Sequence, residues 1–441
     1  MEKPGRKLNM VSLTVPIFIE QFLRYLMNFV STFMLSRISD DASAAVGTAN
    51  QIITVAISVS GMFAASAGVV VSQLIGAGRD EEAGVATMNS LTISALTGAF
   101  MSTLVISFAG PLVSLMGLKG ILMEHAVSYL RTAGIICFIQ FFSSMTAQHF
   151  RCRGKTRIPM FVIIINNLVN ILGSWLVTEG MLPVSGVTGV ALVRVVSEST
   201  GLVILLLFFM RERWWVSLKD LYRIRKKYLG QILGMGIMAG MESLSFNLSP
   251  IVTTRFIASL PSYVLSAKVY TQSVNTYAYM AGWAVGQSAQ IAAGHMIGAG
   301  KREEAFSFIK KVWLAIFILD VSFAGIFFLF SDNMIGWFTD SSEILALAHI
   351  LFMIDWISCA GRPLNHSFNF GLRSAGFVFW PMVTANVSIW ITAVGLGYVL
   401  SVKAGLGVIG LWAAQAVDEW IRGLFSAWFW LRKKWYDTRL V

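Results

Sequence analysis

Long apolar runs separated by short polar stretches dominate the hydropathy pattern of this chain. A bilayer core about 30 Å thick needs roughly 20 apolar residues to be crossed by a helix. Runs of that length predict twelve transmembrane helices, six in each half of the chain. The predicted spans lie near residues 10–35, 44–75, 85–109, 124–149, 159–179, 187–210, 230–258, 263–297, 306–331, 344–371, 378–401 and 406–431. The pattern therefore predicts an all-α integral membrane protein.

Two motifs occur once in each half at a common offset. A Gly-Ala-Gly sequence followed by a basic residue and an acidic pair begins at Gly76 and again at Gly298, 222 residues later. An R-x-x-G-x-x-x-x-P-M motif begins at Arg151 and, with the same offset, at Arg373. Two matches at one offset indicate a duplication. Because each half has an even number of predicted spans, the repeats should be parallel, related by an axis along the membrane normal.

This duplication predicts two domains. We expect an N-lobe at residues 1–210 with helices 1–6, a basic cytoplasmic linker at 211–229, and a C-lobe at 230–441 with helices 7–12. Each Gly-Ala-Gly element lies between two spans, where glycines at both ends permit the positive φ that closes a helix. The acidic pair then falls in the first turn of the next helix, where it is favourable against the helix dipole. We interpret these elements as cytoplasmic turns and the basic loop 151–157 as a determinant of topology.

The composition agrees with a membrane protein. Hydrophobic residues make up 56% and charged residues 13%, compared with about 25% charged in soluble domains. The net charge of +11 comes mainly from the termini and the even-numbered loops. The positive-inside rule therefore predicts cytoplasmic termini in a multi-pass protein of the cell (inner) membrane. No reading motif accompanies the basic residues, which argues against nucleic acid as a partner.

The sequence contains no recognisable enzyme motif. HExxH, Walker A and GxSxG are absent, the five histidines are scattered, and the three cysteines are too far apart for a CxxC pair. We therefore expect neither an enzyme nor a cofactor. Without an ATPase motif, transport would run on an ion gradient or be passive.

Carboxylates inside the predicted spans are the first candidates for function, because a charge at mid-bilayer costs about 2.5–3.5 kcal/mol. Glu20 and Glu242 occupy equivalent positions of the two repeats. Glu20 has Arg24 one turn later, so it either fixes the helix as an ion pair or exchanges protons or sodium ions. Glu242 has no cation one turn away and lies among serine and asparagine side chains, which suits a hydrated oxygen site.

Five further acidic positions lie in the spans. Asp355 has no basic residue before Arg362, two turns on, and such a weakly paired carboxylate can carry a proton. Proton or sodium coupling is open, and a sodium ion would lie near Glu242 or Asp355. Asp320 is also unpaired in sequence, but its repeat position is Gly98, which weakens its case. Acidic and basic residues also form two sets that we interpret as structural: Arg194 with Glu198, and Asp418 and Glu419 with Arg422.

Amide and aromatic side chains in the spans suit a large organic cation, through cation-π and charge contacts. The three asparagines of span 5 could equally join helices to one another. The candidate substrate-cavity residues are Arg24, Asn50, Asn166, Asn167, Asn170, Tyr270, Gln272, Tyr277 and Trp283.

Several of these stretches together resemble the multidrug and toxic compound extrusion (MATE) family, and the resemblance covers nearly the whole chain. It implies twelve helices in two pseudo-symmetric six-helix bundles around a central cavity. It also implies an antiporter that exports cationic or amphipathic organic compounds against inward sodium or proton flow, by alternating access. We expect a monomer in the lipid bilayer, since a two-lobe chain needs no partner. The resemblance rests on Pro16–Glu20, Ala44–Gly47, Gln73–Gly78, Gly286–Gly300, Gly361-Arg362 with Asn365, and Asp418-Glu419 with Arg422.

The chain departs from the family pattern at its acidic positions. Ser31 stands where many relatives have the Asp of a Val-Asp-Thr motif, and Cys359 stands where many have Glu. Asp355 lies one helical turn before Cys359, so we predict that it replaces the missing glutamate. In the expected cycle Glu242 and Asp355 take up a cation as substrate leaves, and Glu20 with Arg24 gates the N-lobe.

Two alternatives remain open. A lipid-linked sugar or lipid flippase of the same superfamily would share the fold but have a more cationic central cavity. A non-transporting scaffold or receptor would need no repeated carboxylates and would bind no ion.

Overall fold

The computed structural model describes residues 8–36, 40–181, 183, 186–212, 225–257, 260–438 and 440. Within these residues the chain is all-α, without a β-strand. The α-helices are α1 Met10–Ser36, α2 Asp40–Gly76, α3 Asp80–Ser107, α4 Ala109–Leu115, α5 Gly120–Ala133, α6 Ile135–Cys152, α7 Arg157–Thr178, α8 Gly186–Arg211, α9 Lys226–Ile257, α10 Ser262–Gly298, α11 Arg302–Leu329, α12 Ser331–Gly336, α13 Ser342–Leu364, α14 Phe370–Ser374, α15 Phe379–Ser388 and α16 Gly407–Leu431. The chain also forms π-helical segments at Asn365–Asn369, Ile389–Leu396 and Val399–Lys403 and a 3₁₀-helix at Lys434–Asp437.

Every predicted span corresponds to a helix or to a run of consecutive helical segments. Among the described residues, eight helical stretches are long and apolar enough to cross a membrane, and α5 with α6, bent by 43°, makes a ninth. Helices α9, α10 and α16 are 32, 37 and 25 residues long but more polar. They carry many of the acidic, amide and basic side chains predicted for a site, which lowers their hydropathy. The predicted all-α membrane fold is confirmed.

The tenth and eleventh spans are interrupted rather than continuous. The tenth consists of α13, the π-helical turn Asn365–Asn369 and α14. Pro363 has no N–H and lies two residues before that turn, so the regular hydrogen-bond ladder is already broken there. Single π-helical turns inside α-helices are frequent at functional sites.

The two Gly-Ala-Gly elements form the predicted turns. The second glycine of each, Gly78 and Gly300, has a positive φ of 72° and 76°, which closes the preceding helix. The first glycine of each is instead the last residue of its helix, so the expectation of two special glycines per turn was wrong. Acidic residues occupy the first turn of both α3 and α11, as predicted.

The chain divides into two compact units. We call Val11–Gly240 the N-terminal unit, and Met241–Val441 with Met1–Met10 the C-terminal unit. Residues 213–224 of the predicted linker lie outside the described residues, so the domain limits at 211–229 remain a prediction.

Small side chains allow close helix packing inside the N-terminal unit. Ala45, Ala49 and Ala56 of α2 and Ala126 and Ala133 of α5 are all buried in one cluster. Small residues let helix backbones approach closely in a membrane, where packing replaces the hydrophobic effect. This packing leaves the polar side chains of neighbouring helices in fixed relative positions.

Candidate functional site

Glu20 of α1 is held by two arginines. The carboxylate is buried, and Nη2 of Arg151 lies 2.6 Å and 2.8 Å from its two oxygens. Nη2 of Arg24 lies 3.2 Å from Oε1, so the expected pair one turn apart is present. Arg151, at the end of α6, is itself buried and also donates to Gln148 at 3.1 Å. The basic loop that begins at Arg151 therefore supplies a buried partner besides determining topology.

Glu242 of α9 has an equivalent partner. Nη2 of Arg373 lies 2.7 Å from Glu242 Oε2, and Asn369 donates to Oε1 at 3.4 Å. Both glutamates thus pair with an arginine 131 residues further along the chain. Glu242 is not the unpaired, hydrated carboxylate that its sequence neighbours suggest, because its cation comes from a different helix.

The sequence contained the signal for both arginines. Arg151 and Arg373 each begin the repeated R-x-x-G motif, and Glu20 and Glu242 match at the same offset. A search for partners one helical turn away cannot find contacts between helices. A buried carboxylate needs a partner, and the arginines of the R-x-x-G motif are repeated at the same offset as the two glutamates.

A small cavity of about 30 Å³ adjoins Glu20 in the N-terminal unit. Its lining includes Arg24, Gln140, Asn166 and Glu198. Asn166 donates to Glu198 Oε2 at 2.9 Å. A polar cavity of this size can hold a water molecule, so two carboxylates of this unit border a hydratable space.

The other amides of the N-terminal unit join helices. Asn167 donates to the Leu23 carbonyl at 3.1 Å and Asn170 to Ser197 Oγ at 3.2 Å. The Asn50 carbonyl oxygen accepts from Tyr129 OH at 2.9 Å. These contacts match the interpretation that such side chains hold helices together.

Arg194 and Glu198 do not form the ion pair expected between them. Arg194 donates to Asn50 and, at 2.9 Å, to the hydroxyl oxygen of Tyr129. Glu198 accepts from Asn166, as described above. The two side chains extend to different helices, so a spacing of four residues in the sequence did not predict their partners.

Asp355 of α13 lies buried in the C-terminal unit. Trp412 Nε1 donates to its Oδ2 at 3.0 Å. Arg362 lies 3.3 Å from Cys359 Sγ and 4.5 Å above the Tyr279 ring, and within the described part of the chain it has no ion pair with a carboxylate. Asp355 thus combines burial with weak pairing, as its sequence context predicts.

The acidic pair of α16 belongs to a closed network. Arg422 Nε lies 2.9 Å from Asp418 and Nη2 lies 2.8 Å from Glu419. Ser388 donates to Asp418 at 2.6 Å, and Asn365 donates to Glu419 Oε2 at 2.8 Å. These contacts support the structural interpretation.

The candidate aromatic residues lie along α10. The Tyr270 ring stacks on Phe338 with centroids 5.2 Å apart. Trp283 meets Phe370 edge-on at 6.3 Å. Gln272 and Tyr277 are exposed. Of these three aromatic residues and one amide, two therefore pack against other rings of the unit and two are exposed.

The family model described as MatE matches residues 16–176 and 239–399, one match in each half of the chain. The chain therefore belongs to the MATE family, whose members are membrane transporters rather than enzymes. It is 33% identical over 446 residues to the uncharacterized transporter YisQ of Bacillus subtilis (strain 168), covering 100% of this chain and 98% of that one. It is 25% identical to the probable multidrug resistance protein NorM of Thermotoga maritima over 444 residues, covering 98% and 94%. The resemblance deduced from the sequence is confirmed.

Solved structures share the fold. A structure of MATE in the bent conformation has a TM-score of 0.90 at 17% identity, covering 97% of this chain and 95% of that one. A transporter of the MOP superfamily from Pyrococcus furiosus, described as having a binding pocket of reverse polarity that suggests a different function, has a TM-score of 0.88 at 17% identity. Coverage is 99% of both chains.

Proposed function

We propose that this protein is a secondary active exporter of cationic or amphipathic organic compounds, driven by inward proton flow. The observation that carries the proposal is the duplicated pair of a buried glutamate and an arginine with little exposed surface, Glu20 with Arg151 and Glu242 with Arg373. Relatives named as multidrug resistance proteins support the substrate class.

Protonation of Glu242 changes the charge of its site in a way that transport can use. A proton bound to Oε2 removes the carboxylate charge, so Arg373 loses its counter-ion and the site no longer attracts an organic cation. Loss of the proton restores the anion. Glu20, held by Arg151 and Arg24, can respond in the same way in the N-terminal unit, and Asp355 offers a further weakly paired carboxylate.

The side chains around Glu242 favour a proton over sodium as the coupling ion. A sodium ion bound to this carboxylate would lie beside the Arg373 guanidinium, which is 2.7 Å from Oε2. Like charges at such a distance repel strongly where the dielectric constant is low. A proton binds covalently to the oxygen and adds no separate cation. Each charge moved across 100 mV supplies about 2.3 kcal/mol, enough for about fifty-fold accumulation.

Efflux from proteoliposomes tests this proposal. A fluorescent organic cation is loaded, and a pH gradient and a sodium gradient are imposed separately. We expect the pH gradient alone to drive efflux and Glu242→Gln to abolish it. Glu304→Gln, at an exposed pair with Lys301, is the matched control and should transport normally. Efflux driven by sodium alone, or unimpaired efflux in Glu242→Gln, would contradict the proposal.

A flippase of anionic lipid-linked sugars is the second candidate. Arg194 and Arg362 support it, because the described residues give neither arginine a carboxylate within 4.0 Å. The structural relative with reversed pocket polarity points the same way. A fluorescent lipid-linked sugar phosphate in the same proteoliposomes separates the two candidates: flipping that is lost in Arg362→Gln, without cation efflux, would favour the flippase.

We also propose that both termini are cytoplasmic and that the chain works as a monomer in the inner membrane. The distribution of basic residues supports the orientation.

A further inference from the structure

Asp320 is a buried carboxylate that the proposed cycle does not use. It lies on α11 with no exposed surface, and neither of its oxygens has a hydrogen-bond partner within the described residues. Nδ1 of His366 lies 3.8 Å from Asp320 Oδ2 and also lacks a partner there. Two titratable groups thus face each other, and the facing atoms have no hydrogen-bond partner among the described residues.

Helix α10 leaves space for both groups through two glycines one turn apart. A Cβ at Gly282 would lie 2.4 Å from Asp320 Oδ1. A Cβ at Gly286 would lie 2.2 Å from the His366 carbonyl oxygen. Any larger residue at either position would displace the pair, so the backbone of α10 forms one wall of the site.

Burial constrains the number of protons at this site. An isolated carboxylate in a low-dielectric interior is strongly unfavourable and takes up a proton or a counter-charge. One proton shared by Asp320 and His366 gives either a neutral acid beside neutral imidazole or a carboxylate beside imidazolium. Both forms have no net charge. Removing that proton leaves a buried anion, so the pair is a site for one proton.

The π-helical turn Asn365–Asn369 connects this pair with Glu242. His366 faces Asp320 from within the turn, and Asn369 at its end donates to Glu242 Oε1. Arg373, the partner of Glu242, donates to Asn369 Oδ1 at 3.2 Å. His366 and Asn369 are the first and last of four consecutive residues in one turn, so a shift of the His366 backbone would also move the Asn369 contact with Glu242.

Other charged groups surround the pair from two helices. On α13, Cys359 interacts electrostatically with Asp320, and Arg362 lies next to that cysteine. On α16, Glu419 interacts electrostatically with His366 and is paired with Arg422. Glu419 favours a positive charge on His366, but its carboxylate is already held by Arg422 and Asn365.

The N-terminal unit has no equivalent of this pair. The repeat positions are Gly98 and Ser144, which do not titrate. A Cβ at Gly98 would lie 2.9 Å from Phe141 Cβ, so helix packing fills that place. Because the pair is present in one half only, alignment of the two halves did not identify Asp320 as a functional candidate.

We propose that Asp320 and His366 form a second proton-binding site of the C-terminal unit, linked to Glu242 by the π-helical turn. This proposal deepens the proton-driven export proposed above and rests on it for its role in transport. The binding site itself can be tested without transport.

Histidine titration by nuclear magnetic resonance tests the site directly. The protein is labelled with ¹⁵N-histidine, and His366→Gln identifies the His366 signal among the five histidines. Asp320→Asn should lower the protonated fraction of His366 at a fixed pH by about tenfold.

A second His–Asp pair in the same unit serves as the matched control. His349 Nδ1 also lies 3.8 Å from an aspartate oxygen, that of Asp332, but the two side chains are 48% and 70% exposed. Solvent screens this pair, so Asp332→Asn should change the protonated fraction of His349 less than threefold, about 0.6 kcal/mol. A His366 signal that does not titrate, or that is unchanged in Asp320→Asn, would overturn the proposed site.

The ratio of protons to substrate moved in proteoliposomes tests the role in transport. We expect Asp320→Asn and His366→Gln to lower this ratio while substrate binding persists. If wild type exports no organic cation, the proposed function fails, and the histidine titration still decides whether the proton site exists. If wild type exports and both variants keep its proton-to-substrate ratio, the link to transport is wrong. Should Asp320→Asn not fold, His366→Gln alone decides through its proton uptake.

Discussion

At the scale of single residues, the two glutamate–arginine pairs are the charge feature that the two halves of the chain share. Each places a carboxylate and a guanidinium together where membrane-spanning helices pack. Breaking one partner of a buried pair is costly because the other charge remains uncompensated. The pairs therefore have to be tested by removing one partner and then both.

We predict that Arg373→Gln lowers the free energy of unfolding by about 3–5 kcal/mol, because Glu242 is left buried without its cation. The double variant Arg373→Gln/Glu242→Gln should recover part of the loss. Denaturant unfolding of the detergent-solubilised protein measures both. Lys301→Gln, which breaks an exposed pair, should cost less than about 1 kcal/mol. Equal stability of the single and double variants would show that the uncompensated Glu242 charge does not cause the loss.

Two glycine substitutions should have opposite effects. In Gly286→Ala the new Cβ would lie 2.2 Å from a backbone oxygen that cannot move away freely. We expect a loss of about 1–3 kcal/mol. Gly61→Ala has nothing within 4 Å of its Cβ and lies inside α2, so it should gain about 0.5–1 kcal/mol. Thermal unfolding compares the two, and a neutral Gly286→Ala would mean that α10 can shift away from the π-helical turn.

The sequence predicted half of each ion pair. Hydropathy and the repeat identified Glu20 and Glu242, because a charge in an apolar run stands out. Arg151 and Arg373 lie near span ends, where arginine is common for topological reasons, so their burial was not evident. Asp320 has no acidic counterpart in the other repeat, so it became a strong functional candidate only when the structure placed His366 beside it. Contacts between helices far apart in sequence need the tertiary structure.

At the scale of helices and turns, both Gly-Ala-Gly turns are held by a segment that follows the last span of their half. In the N-terminal unit, Glu82 accepts from Tyr228 and lies 2.7 Å from Arg79 and 3.2 Å from Arg225. In the C-terminal unit, Lys433 lies 2.5 Å from Glu303. The holding segments do not match at the repeat offset of 222, so the duplication could not reveal them.

The turn in the N-terminal unit should show a pH dependence. The hydrogen bond from Tyr228, together with Arg79 and Arg225, lowers the pKa of Glu82 despite some desolvation. A lowered folded-state pKa contributes stability above the unfolded pKa, and this stability is lost as the pH falls through the folded value. We therefore expect wild type to be more stable than Glu82→Gln near neutral pH, by less than about 1 kcal/mol because the site is partly exposed.

The difference between wild type and Glu82→Gln should close as the pH is lowered. Unfolding curves at a series of pH values measure it. Glu81→Gln, on the same turn but without the Tyr228 contact, should show a smaller difference. A constant difference across the series would mean that the Glu82 charge does not hold the turn.

The sequence predicted where the helices lie but not where a helix is interrupted. The length of the apolar runs located the tenth and eleventh spans. Hydropathy does not report which carbonyl accepts from each backbone N–H, so it cannot distinguish an α-helical from a π-helical turn. Pro363 was the local signal for the π-helical turn Asn365–Asn369. The interruption matters because that turn brings His366 and Asn369 to two different carboxylates.

At the scale of the whole molecule, the order of spans and the family could be predicted, because both depend on patterns that extend over the chain. Helices α9, α10 and α16 are the three spans that hydropathy alone supports least, since polar side chains replace apolar ones there. The repeat supplied the missing support. Six spans per half require α9 to enter from the same side as α1.

Membrane orientation is the prediction that tests this parallel duplication. The native cysteines Cys137, Cys152 and Cys359 are all buried. We therefore expect little labelling of these residues, so the labelling of a single introduced cysteine can be measured. Glu81→Cys and Glu304→Cys lie at equivalent exposed turns of the two halves. With both termini cytoplasmic, each introduced cysteine should react with a membrane-impermeant maleimide in inside-out vesicles. In spheroplasts, whose inner membrane is intact, each should stay unlabelled.

Two positions at the opposite ends of the helices complete the test. Lys119→Cys, before α5, and Lys403→Cys, at the end of the eleventh span, are exposed and should react only from the outside. The two halves must give the same pattern if the repeats are parallel, because an even number of spans returns the chain to its starting side. Labelling of Glu81→Cys and Glu304→Cys from opposite sides would require an odd number of crossings between them, and the duplication would then be inverted.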